Sequence, residues 1–193
     1  RVLGASWLAL PDDPASAPSL GDLRSGELPF VAIAAAFRFL GLHPWAGRLA
    51  MVAFAIAGLV AVWSVVARFA GPRAAALAAT VLATTPLYAA HARTMLGDAA
   101  VMGAFAIAFA GLSGLALEPR TKTALRWVPV AIAGLVAGFL ARGLLFGVAV
   151  PLVSVSLGAL LLVPVLGRES AQRRVIVGSL GLALGVACVV AFA

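Results

Sequence analysis

The chain has 193 residues, of which 63% are hydrophobic and 11% charged, and its mean hydropathy is +1.10. Ordinary soluble domains carry about 25% charged residues, so these values exclude that class and indicate an all-α, polytopic membrane protein. The net charge of +7 does not point to nucleic acid, because the arginines stand singly or in short clusters between apolar runs and form no continuous basic face.

Residues 1–29 are the main polar region. Val2–Leu10 is expected to be a short helix with Trp7 at the membrane interface, and the proline-rich stretch Pro11–Pro18 is expected to be a loop. Pro29–Leu42 is apolar but too short to cross a ~30 Å hydrocarbon core and contains Arg38, so it reads as a juxtamembrane or re-entrant helix. Six spans are expected after it: Trp45–Phe69, Ala74–Ala90, Ala99–Leu117, Trp127–Ala141, Leu144–Leu166 and Val175–Ala193. Pro86, Pro129, Pro151 and Pro164 are expected to mark kinks or ends. The spacings Gly134 to Gly138 and Gly143 to Gly147 indicate close helix packing. Cys188 is the lone cysteine and lies in an apolar run, so neither a disulfide within the chain nor a Cys/His metal cluster is expected. No internal linker divides the chain. It is expected to be one transmembrane domain, 1–193, with residues 1–44 as an extracytoplasmic loop and 45–193 as the bundle. The start at Arg1 and the stop in an apolar run at Ala193 suggest a piece of a longer protein.

The basic residues divide unevenly between alternate loops. One side collects Arg68, Arg73, Arg120, Lys122, Arg126, Arg168, Arg173 and Arg174, and the positive-inside rule makes it cytoplasmic. The polar region, the connection His91–Asp98 and the turn at Arg142 then open together on the outer face.

The stretch His91-Ala92-Arg93-Thr94-Met95-Leu96-Gly97-Asp98 concentrates ionisable groups between apolar runs, where a charge costs at least ~2.5 kcal/mol and so marks a functional site. Asp98 is either the N-cap of the span starting at Ala99 or a catalytic carboxylate, one that orients an acceptor, stabilises developing positive charge or ligates a divalent metal. Arg93 and Arg142 suit a phosphate, which the planar guanidinium grips with two parallel hydrogen bonds, although either could instead be a snorkelling anchor. His91 is either an interfacial hydrogen-bonding residue or a substrate or metal ligand. Glu27 borders the same outward face. Asp12-Asp13 lack the glycine and spacing of a calcium loop and read as a solvated turn. No nucleotide-binding loop or Ser-His-Asp set is present.

The order of pieces is Glu27-Leu28-Pro29-Phe30, Gly47-Arg48-Leu49-Ala50, a basic turn at Gly71-Pro72-Arg73, Ala92-Arg93 to Asp98, and Ala141-Arg142-Gly143. It resembles the GT-C membrane glycosyltransferases of family 39, the protein O-mannosyltransferase and aminoarabinose-transferase type. The phrase Ala-Arg-Thr-Met-Leu-Gly-Asp is similar to myxobacterial members. The resemblance covers nearly the whole chain. Arginine replaces the family's lysine at 142, and two further departures stand out: the family's Glu-Lys-Pro-Pro-Leu keeps its glutamate here as Glu27 but not its phosphate-contacting lysine, and the family's catalytic Asp, which precedes an Arg that Arg1 resembles, is absent from the sequence. The resemblance implies transfer of a sugar, with inversion, from a polyprenyl-phosphate donor to an extracytoplasmic acceptor, in the inner membrane of a bacterium. It places the main catalytic acid just before the position of Arg1, Asp98 as an assisting catalytic residue, and Arg93, Arg142, Glu27 and His91 in substrate binding. Two other classes are open on the residues alone: a transporter segment, with ionisable groups along a mid-bilayer path, and a non-catalytic structural subunit.

Overall fold

A computed structural model describes residues 27–94, 97–161 and 168–192 of the chain. The expected helix Val2–Leu10, the loop Pro11–Pro18, Arg1, Asp12, Asp13 and Pro164 lie outside the described residues. Those described are helical, with no strand among them: α1 Leu28–Leu40, α2 Pro44–Ala70, α3 Pro72–Thr84, α4 Pro86–Arg93 and α5 Asp98–Leu117. They continue as α6 Thr121–Ala124 with a 3₁₀ turn Leu125–Trp127, α7 Val128–Leu144, a π-helical segment Leu145–Ala149, α8 Val150–Leu161 and α9 Arg168–Phe192.

Proline and glycine punctuate these helices. A proline occupies the first or second position of α1, α2, α3, α4 and α7, where its missing N–H costs nothing and its fixed φ is already helical. Gly41 ends α1 and Gly71 ends α2 with φ of +84° and +90°.

Three helical stretches are long and apolar enough to cross a membrane: Trp45–Ala70, Asp98–Leu117 and Lys122–Leu161, or four if α3 and α4 together make one span. The chain is thus an all-α protein with membrane-crossing helices. α3 and α4 are bent by 63° at Thr85, so the expected span Ala74–Ala90 is a broken one, kinked as expected at Pro86, which removes an amide donor. The stretch Lys122–Leu161 is folded back on itself. Gly143 has φ 77° and ψ −171°, a region open essentially to glycine alone. Beyond it the backbones of Gly138 and Gly147 lie in contact, although nine residues of straight helix would hold them about 13 Å apart. The two expected spans on either side of Arg142 are therefore two antiparallel passes. Replacing Gly143 with alanine is expected to lower stability by ~1–3 kcal/mol, measured as the shift in thermal unfolding of the purified protein.

α5 is the central helix. Gly103 abuts the backbone of Phe54 on α2, while Gly111 abuts Ala131 and Gly134 abuts Ala108, drawing α5 and α7 together backbone to backbone. On another side Leu112 and Ala116 meet Val155 and Ala159 of α8. α9 returns along α8, with Gly178 against Leu160 and Gly185 against Val153. The core is built mainly of alanine, with Ala100, Ala104 and Ala108 wholly buried on α5, as expected where lipid is no less apolar than a leucine core and close van der Waals approach must hold helices together.

Candidate functional site

The direction of each helix decides what meets at its ends. α5 begins where α4 and α7 end, so Asp98, His91 and Arg142 come to one end of the bundle. Gly97, with φ +87°, is the N-cap residue of α5, and Asp98 is the first helical residue, whose side chain makes no capping bond. The expected capping role for Asp98 is therefore corrected: the left-handed turn falls to the one residue there without a Cβ, which leaves the carboxylate free to point elsewhere. Its charge is still favoured by the positive end of the helix.

Asp98 Oδ2 lies 3.3 Å from His91 Nδ1, and Oδ1 lies 3.5 Å from Arg142 Nη1. Both distances are at the long end for hydrogen bonds, and the attraction between Asp98 and Arg142 is chiefly between charges. The side chains of His91, Asp98 and Arg142 are 25%, 38% and 57% exposed, placing the trio at a rim that solvent reaches. His91 is in the last turn of α4, which Thr94 closes by donating its backbone N–H and its hydroxyl to the His91 carbonyl. Arg142 is in the last turn of α7, just before the break at Gly143, and the antiparallel packing of α7 on α5 brings it to the Asp98 end.

Glu27 is buried at the start of α1, where its carbonyl accepts from the Val31 amide. Pro29, two residues further on, packs against Gly97: a Cβ added to Gly97 would lie 3.0 Å from the Pro29 Cβ. Arg93, at the end of α4, is exposed, and no ion pair involves it among the described residues. The structure thus joins Asp98, His91 and Arg142, brings the start of α1 against the Gly97 turn, and leaves Arg93 exposed at the end of α4. No group of three His, Cys, Asp or Glu side chains able to hold a metal occurs among the described residues. His91 and Asp98 supply only two donors.

Sequence reasoning passed over a second ionic site. At the opposite end Arg68 donates to Glu118 through Nε (3.0 Å to Oε2) and Nη2 (2.8 Å to Oε1), a two-bond clamp between the ends of α2 and α5. The Glu118 residue is 1% exposed. Arg68 reads in the sequence as a topology signal, and Glu118 draws no reading at all. The available signal is an acid placed directly after an apolar run, with a cation at the end of an earlier one.

Compared with family models, with curated proteins and with solved structures, the chain matches none, so the site stands on its own geometry.

Proposed function

We propose that this chain is the membrane-spanning part of an inverting glycosyltransferase, which takes a sugar from a polyprenyl-phosphate donor and delivers it to an acceptor outside the cytoplasm. The observation that supports it is the convergence of Asp98, His91 and Arg142 at one end of the bundle, Asp98 and Arg142 being 44 positions apart in sequence. These are positions the resemblance to family 39 associates with catalysis and carrier binding. In this reading the excess of basic residues puts the Arg68 end in the cytoplasm and the Asp98 end outside it, in the bacterial inner membrane that the resemblance implies. In this reading Asp98 assists the reaction by orienting the acceptor or stabilising charge on the sugar, with the main base supplied by other residues. Arg142 and Arg93 meet the phosphate, His91 holds the Asp98 carboxylate in place, and Glu27 borders the substrate. A transporter would need ionisable groups along a mid-bilayer path, but α2 carries none between Leu49 and Ala67 and α5 none between Ala99 and Leu117.

The test is a transfer assay on the full-length protein in proteoliposomes, with a panel of polyprenyl-phosphate sugars and labelled acceptors. Transfer from at least one donor is expected; failure with all of them, for protein shown to be folded, would overturn the reading. For Arg142→Ala, weaker binding of polyprenyl phosphate is expected. A charge-assisted hydrogen bond contributes ~1.5–3 kcal/mol, and because the guanidinium is more than half exposed the lower figure applies, about tenfold in affinity. Unchanged affinity would make Arg142 an anchor at headgroup level.

A further inference from the structure

Five cations surround the Arg68–Glu118 clamp in sequence. Arg68 is in the last turn of α2, Arg73 is in the first turn of α3, and Arg120, Lys122 and Arg126 follow Glu118 through α6 and the 3₁₀ turn. All five are exposed. Arg120 and Lys122 come two and four residues after Glu118, so their Cα atoms lie no more than about 14 Å from its own. Little opposes this charge. Residues 28–97 contain no acid and residues 99–168 contain Glu118 alone, whose carboxylate is fully buried. The clamp itself is made side-on: Nε and Nη2 of Arg68 donate to the two carboxylate oxygens, and among the described residues nothing bonds to Nη1. A guanidinium has donors to spare beyond two such bonds. The Arg68 side chain is 51% exposed, so a buried anion fixes one edge of it while the rest stays accessible. A group already held in place loses little freedom when it binds. Exposed Phe69 and Leu125 adjoin Arg68 and Arg126 in the chain, and Trp127 lays its ring over Gly114 of α5, as aromatic residues do at the level of lipid headgroups.

We propose that this end of the bundle binds an anionic phospholipid, with the Arg68 guanidinium, oriented by Glu118, on the lipid phosphate and Arg120 and Lys122 adding positive charge beside it. Two features select this occupant. The clamp joins the ends of α2 and α5, both long and apolar enough to cross a membrane, and the ends of such helices lie where headgroup phosphates are. The excess of cations over acids on these segments favours a lipid of net negative charge over a zwitterionic one. Arginine suits the phosphate because its planar fork presents parallel N–H groups, which a lysine at position 68 would not. Glu118 is a positioning residue that acts through Arg68. The site is at the opposite end of the bundle from Asp98 and does not rest on the transferase reading.

The experiment is native mass spectrometry of the full-length protein in detergent, titrated with phosphatidylglycerol or with phosphatidylcholine of the same chain length. Phosphatidylglycerol is expected to bind roughly tenfold more tightly. Arg68→Lys keeps the charge but loses the fork and should bring the two lipids close to parity, whereas Arg48→Gln, an exposed position at the other end of α2, should leave the preference intact. Glu118→Gln separates positioning from net charge. If the cations act only by their sum, withdrawing a negative charge strengthens phosphatidylglycerol binding; if the carboxylate orients Arg68, binding weakens, and weakening is expected. Should that variant not fold, the Arg68→Lys arm still decides. Equal affinity for the two lipids, an undiminished preference in Arg68→Lys, or tighter binding in Glu118→Gln would each overturn the proposal. So would displacement of phosphatidylglycerol by millimolar inorganic phosphate, which would assign the cations to a soluble anion.

Discussion

Replacing Asp98 with asparagine is expected, under the proposed transferase function, to lower turnover by roughly 10²-fold or more, the loss typical when a group that stabilises developing charge is removed. Asparagine keeps the size of the side chain but withdraws the negative charge facing His91 Nδ1 and Arg142 Nη1. The fold should tolerate the change. Gly97, not Asp98, is the N-cap of α5, and an ion pair whose carboxylate is over a third exposed contributes no more than ~1 kcal/mol. Turnover and thermal unfolding measured on the same preparation separate the two effects. Wild-type turnover in the asparagine variant would reduce Asp98 to a surface ion-pair residue, whereas a large fall in both would make it structural.

The largest expected effect on stability is that of Gly134→Leu. The backbones of α5 and α7 touch at this point, and even a Cβ on residue 134 would overlap the Ala108 amide, so the helices must separate to admit any side chain. Overpacking of a tight core usually costs ~1–3 kcal/mol; here the obstacle is backbone that no rotamer change can move, which puts the cost at or above ~3 kcal/mol. Loss of a monodisperse peak after detergent extraction is the expected result. Gly158→Leu is the matched control, because a Cβ at Gly158 meets nothing within 4 Å. Equal behaviour of the two variants would show that close approach at Gly134 is not what holds α5 to α7.

The two predictions differ in how much of their basis the sequence displays. The glycine spacings at 134, 138, 143 and 147 announce close packing, and Gly134, Gly138 and Gly147 do pack against backbone. Gly143 does something else: its spacing looks the same, yet its positive φ breaks the helix and reverses the chain. Spacing cannot distinguish the two uses, because a glycine that removes a Cβ for a neighbour and one that removes it for a left-handed turn are the same residue in the sequence. Asp98 shows the same ambiguity from the other side. Its position before an apolar run predicts a cap, and the turn geometry at Gly97 assigns that role one residue earlier.

What the sequence determined by itself is everything that depends on local composition and periodicity. The apolar excess dictates helices, since unpaired backbone groups are intolerable in hydrocarbon, and prolines and glycines mark helix ends within a residue or two at α1, α2 and α5. The cluster His91 to Asp98 also stands out, because ionisable groups are rare between such runs. Only the tertiary structure decided which distant groups meet. It brings Arg142 to Asp98 across 44 residues and Arg68 to Glu118 across 50, while leaving Arg93, only five positions from Asp98, outside the ion pairs. The reason is that helix direction sets those meetings, while the breaks at Thr85 and Gly143 set where the segments after them run. Both breaks are turns of a few degrees of freedom whose consequences extend over tens of ångströms, and a hydropathy pattern carries no record of them.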